Sequence, residues 1–92
     1  MAKLKPKSVL QEANDIVNGP RQDAYGSPAD NFCRWRDLCR STGRPGLENA
    51  TAEDLAIAMV LLKVARDTAS PKRDNAVDGA GYFDILDRVR GL

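Results

Sequence analysis

The chain has 92 residues, 42% of them hydrophobic and 29% charged, with a net charge of +1 and no histidine. That length allows one domain, the composition is that of a globular protein rather than a disordered one, and the charge balance leaves no footprint for nucleic acid. Without histidine there is no imidazole for acid–base chemistry or metal ligation, and no apolar run approaches the ~20 residues of a membrane span.

Lys3, Lys5 and Lys7 lie in a stretch broken by Pro6. Residues 1–7 are expected to form a flexible basic tail and residues 8–92 a single helical domain. The tail lacks the apolar stretch of a secretion signal, so the expected location is the cytoplasm.

The first helix is expected from about Val9 to Asn18. Ser8 and Gln11 have the spacing of a capping box, and Gly19–Pro20 stops the run. Val9, Ala13, Ile16 and Val17 make its apolar stripe. A polar loop follows, with Tyr25 beside Gly26. The second helix starts after Ser27, with Pro28 in its first turn. Phe32, Trp35, Leu38 and Cys39 recur on it at helical spacing. Trp35, although flanked by Arg34 and Arg36, reads as core or subunit interface rather than a nucleic-acid stacking residue. Cys33 and Cys39 lie too far apart on one helix for a disulfide.

Gly43, Pro45 and Gly46 mark the next loop. The third helix is expected from Ala52 through Arg66, capped by Thr51. Leu55 to Leu62 is apolar nearly all round, so this helix is expected at the centre. Ser70–Pro71 breaks the chain. The fourth helix is expected from about Asp74 to Val89, with Val77, Ala80, Gly81, Ile85 and Val89 turned inward. No strand-like alternation and no repeat is present. The expected fold is all-α, a small bundle of four helices. A chain this short buries little surface by itself, so a homo-oligomer is expected.

The candidate chemistry is carboxylate and cation. Glu12 and Asp15 are spaced i, i+3 and Asp74 and Asp78 i, i+4, so each pair can share one cation. Two such helices face to face would cage Mg²⁺, a hard oxygen-seeking ion. Capping explains the same acids more simply, with Asp74 as an N-cap and Asp78 closing a box with Asn75. Lys63 and Arg66 end the apolar helix, where the macrodipole favours cations. Lys63 sits between Leu62 and Val64 and needs an acidic or phosphate partner, with Asp74 and Asp78 the candidates. Arg21, Tyr25 and Lys72 fall in loops, where binding groups are displayed. Arg21, Tyr25, Lys63, Arg66 and Lys72 are therefore the substrate-binding candidates. Glu12, Asp15, Asp74 and Asp78 are the metal-ligand candidates.

The residues Arg21-Gln22-x-x-Tyr25-Gly26-x-Pro28-x-x-Asn31-Phe32 resemble a family of small uncharacterised phage and prophage proteins. The resemblance continues through Asp54-Leu55-Ala56, Met59, Leu62-Lys63-x-x-Arg66, Pro71-Lys72, Asp74-Asn75-x-Val77-Asp78 and Gly81-Tyr82. That family is similar, more distantly, to nucleotide-modification-associated proteins and to MazG-like all-α nucleoside triphosphate pyrophosphohydrolases. The distant resemblance implies a nucleotide ligand held with Mg²⁺ and cleavage between the α and β phosphates. Glu12-x-x-Asp15 has the form of the first ExxE-type pair. Asp74-x-x-x-Asp78 departs from the second, ExxD, by one residue and lacks its Glu. The alternative reading is a non-catalytic phage protein that sequesters a nucleotide signal or inhibits a host defence protein.

Overall fold

A computed structural model describes residues 6–19 and 26–91. Among these residues there are four α-helices and no strands: α1 Val9–Val17, α2 Pro28–Ser41, α3 Ala52–Ala69 and α4 Arg73–Arg90. The all-α expectation holds.

Local chemistry sets most of the starts. The Ser8 hydroxyl accepts from the Gln11 N–H at 3.1 Å and the Gln11 side chain accepts from the Ser8 N–H at 2.8 Å. Thr51 and Asp54 exchange the same two bonds at 3.0 and 3.3 Å. Each box satisfies two of the four N–H groups a helix leaves unpaired. Ser27 caps α2 through the Asp30 N–H at 3.1 Å, with Pro28 beginning the first turn. α4 is different: its N-cap is Lys72 and no side chain caps it. Asp74 is therefore not the cap; it lies in the first turn, where an acid complements the helix dipole.

α3 and α4 form an antiparallel hairpin. Moving up α3, its side chains meet α4 progressively earlier: Glu53 takes Arg90 at 2.8 Å, Lys63 takes Asp78 at 2.9 Å, and Asp67 takes Asn75 at 3.3 Å. α1 runs alongside α4 in the same direction, with Glu12 on Arg73, Val17 against Gly81 and Asn18 on Arg88. α2 closes one end of the core. Phe32 meets Trp35 edge-on at 5.5 Å and Tyr82 at 6.4 Å, and Arg40 donates to the Ala50 carbonyl at 2.8 Å. Ala56 is sealed at the centre, with Phe32, Leu55, Ile85 and Leu86 around it.

The expectation that α3 would be the central helix is overturned. α4 is the hub and touches all three other helices. One side of α3 packs on α4 and α2, whereas Ile57, Leu61, Leu62 and Val64 face outward. The apolar content of α3 was read correctly, but α1 and α2 both lie on the α4 side, and nothing among the described residues wraps the far side of α3. Ile16, expected inside, is likewise partly exposed; Trp35, expected as core or subunit interface, is 37% exposed; and Ala80 lies on the side of α4 away from α1. Cys33 and Cys39 are free, half-buried thiols.

Candidate functional site

α1, α2 and α4 enclose a cleft of about 450 Å³, within the range of small-molecule sites. α1 contributes Ile16 and Val17. α2 contributes Pro28, Asn31 and Phe32 from its first turns. α4 contributes Val77, Asp78, Gly81, Tyr82 and Ile85. The α4 residues line up because positions three and four apart share one helix face. Gly81 is what lets α1 come this close: a Cβ there would stand 3.1 Å from a Val17 methyl.

The cleft is apolar with a few polar groups. The rings of Phe32 and Tyr82 form one wall. Asn31 offers an amide and Tyr82 a phenol, each able to donate and accept. Among the described residues Asp78 is the one charged group that lines the cleft, and no described Lys or Arg lines it. Lys63 reaches across from α3 and holds Asp78 Oδ2 at 2.9 Å, leaving the carboxylate 38% exposed while the lysine is 13% exposed. The pair holds one carboxylate oxygen on the lysine, while Asp78 itself lines the cleft.

The residues expected to form a metal cage do not come together. Glu12 is paired with Arg73 and Asp15 with Lys7. That contact holds the Lys7 ammonium above the usual amine range, first through its hydrogen bond to Asp15 and then through the charge attraction. Asp78 is paired with Lys63, and Asp74 stands exposed in the first turn of α4. Among the described residues no group of three or more acidic or thiol side chains is placed to hold a metal ion. The reason is geometric. α1 lies parallel to α4 with Glu12 beside the start of that helix, and Asp15 turns toward Lys7 rather than toward Asp78.

The basic candidates are dispersed too. Lys63 is committed to Asp78. Arg66 is exposed in the last turn of α3, and Lys72 is an exposed N-cap whose backbone N–H goes to Asp67. Arg21 and Tyr25 lie outside the described residues. The sequence assigned no binding role to Asn31, Phe32, Gly81 or Tyr82, although it turned Gly81 inward, as found. The signal was present, since all four belong to the pattern that carries the phage-family resemblance, and with Pro28, Val77 and Asp78 they line this one cleft.

A family profile described as a domain of unknown function, DUF6378, matches residues 8–90. The chain belongs to the DUF6378 family. Two curated phage proteins match this DUF6378 domain over 84 residues, 90% of the chain. Both are described as Gene 55 protein: that of Mycobacterium phage L5 is 38% identical and that of Mycobacterium phage D29 31%. The chain spans about half of their length, 53% and 54%. No solved structure matches the DUF6378 chain. No helix among its described residues is long and apolar enough to cross a membrane.

Proposed function

We propose that this DUF6378 domain is a nucleotide-binding module that reads the base and sugar in the α1/α2/α4 cleft and leaves the phosphates toward solvent. One observation carries the reading: a nucleoside-sized apolar cleft, walled by Phe32 and Tyr82, receives an acceptor carboxylate held in place by Lys63. A base ring packs on the aromatic wall. Its hydrogen-bonding edge meets Asp78 and Asn31. Ionised Asp78 is acceptor-only, so the cleft favours bases that present amino donors, adenine, guanine or cytosine, over uracil and thymine. With no cation among the described lining residues, phosphate is expected to add little, and nucleosides to bind comparably to their triphosphates.

The non-catalytic form of the reading is favoured over a Mg²⁺-dependent pyrophosphohydrolase, because Glu12, Asp15 and Asp78 are each bound to a cation and do not converge with Asp74. Calorimetry with the four common ribonucleosides and their triphosphates tests the binding, run beside a phosphate-release assay with Mg²⁺. Binding of amino-bearing nucleosides without turnover supports the proposal. Turnover lost on Asp78→Asn would support the hydrolase instead. Capture of a host defence protein with no nucleoside binding would support the inhibitor reading.

A further inference from the structure

α3 is apolar on its outer face as well as on the inner face that buries Ala52, Leu55, Ala56 and Val60. From Ile57 to Ala69 its charged residues are Lys63, Arg66 and Asp67. Lys63 and Asp67 face α4, where they bond Asp78 and Asn75. Arg66 is exposed and, on a helix of 100° per residue, borders the outer face beyond Leu62. The outer half, carrying Ile57, Ala58, Leu61 and Ala65 between Leu62 and Val64, holds no charge at all over that span. Leu61 is 60% exposed and Val64 54%. Solvent-facing helices carry the opposite pattern.

The face continues over the hairpin. Between α3 and α4 runs a groove of about 410 Å³, floored by Ala76, Gly79 and Ala80 and edged by Val64 and Phe83, the last 59% exposed. It lies on the far side of α4 from the cleft described above, since none of its α4 residues lines that cleft.

We infer that a second copy of this chain covers this face, with α3 packed antiparallel on α3 of the partner about a two-fold axis near Leu61. Three observations select a second copy. The ridge of Ile57 and Leu61 and the small-residue groove lie side by side on one surface. A two-fold axis needs that arrangement, because each copy's ridge must meet the other's groove. Ile57, Leu61, Leu62, Val64 and Phe83 are 38–60% exposed, an apolar patch on the order of a few hundred Å². That is the scale of apolar surface each partner gives to a standard interface of ~800 Å² a side. Finally, Asp54 is the one acid on the outer line of α3, at its start. An antiparallel pairing keeps the two Asp54 carboxylates at opposite ends, whereas a parallel one would set them against each other.

The test is the mass of the 92-residue chain in solution by light scattering across a concentration series, for wild type and Leu61→Glu. The expected result is a dimer that Leu61→Glu converts to a helical monomer, with nucleoside binding retained. Because Leu61 is exposed, the variant should fold. A second variant guards against failure: Leu61→Cys should form a disulfide-linked dimer under mild oxidation, whereas wild type, with half-buried Cys33 and Cys39, and Leu10→Cys on α1 should not. A wild-type chain that is monomeric throughout, or a dimer that survives Leu61→Glu, overturns the inference. So does cross-linking through Leu10→Cys as readily as through Leu61→Cys.

Discussion

Replacing Gly81 by Ala asks whether α1 lies where the structure puts it. In mid-helix, glycine is about 1 kcal/mol worse than alanine, so the change should stabilise α4 if nothing stood in the way. A Cβ at 81, however, would meet a Val17 methyl at 3.1 Å. Val17 is buried and β-branched, which in a helix leaves it one favoured χ1 well. The methyl cannot swing aside, so the clash costs roughly 1–3 kcal/mol, as overpacking usually does. The two effects nearly cancel or leave a net loss of up to about 2 kcal/mol. Val17→Ala alone should cost about 2 kcal/mol in lost burial. With the methyls gone, Gly81→Ala should become stabilising by about 1 kcal/mol. Urea unfolding of the four proteins measures the coupling, expected at about 1–3 kcal/mol. Coupling below about 0.5 kcal/mol, with Gly81→Ala stabilising in both backgrounds, would mean that α1 does not pack on α4 at this point.

Three further outcomes follow from the same geometry. Asp78→Ala strands a mostly buried ammonium and should cost about 1–3 kcal/mol, whereas Lys63→Met leaves a carboxylate that water can reach and should cost under ~1 kcal/mol; thermal melts of both check the asymmetry. Thr51→Ala removes the α3 cap bond and should cost about 1 kcal/mol, a fall of roughly 4–8 °C in Tm for a domain this small. Adding Mg²⁺ should leave Tm unmoved, because the described carboxylates form no cation cage; a saturable rise in Tm would restore the metal reading.

Helix existence was legible where a cap box announces itself, as at Ser8–Gln11 and Thr51–Asp54. The start of α4 was legible to within a residue, Asp74 against Arg73, but its cap was not, because Lys72 caps nothing with its side chain and the nearby acids looked like caps. The need of Lys63 for an acidic partner was also legible, since a lysine in an apolar run must be neutralised, and Asp78 supplies that charge. The cleft was hidden for a different reason. Its lining comes from three helices, and periodicity says which face of a helix is apolar, not which neighbour that face meets. The same gap sent α3 to the centre of the expected bundle. Acid spacing failed as a metal signal because i, i+3 and i, i+4 pairs are also what intrahelical and interhelical ion pairs need, and Glu12, Asp15 and Asp78 found cations instead.

The most direct measurement is calorimetric titration of the wild-type chain and of Tyr82→Ala with cytidine, adenosine, guanosine and uridine. Saturable binding of amino-bearing nucleosides, weaker for uridine and lost when the aromatic wall is cut back, is the predicted result. Equal heats for every nucleoside, or affinity that appears only with triphosphates and is indifferent to Tyr82, would contradict the claim that this cleft recognises the base.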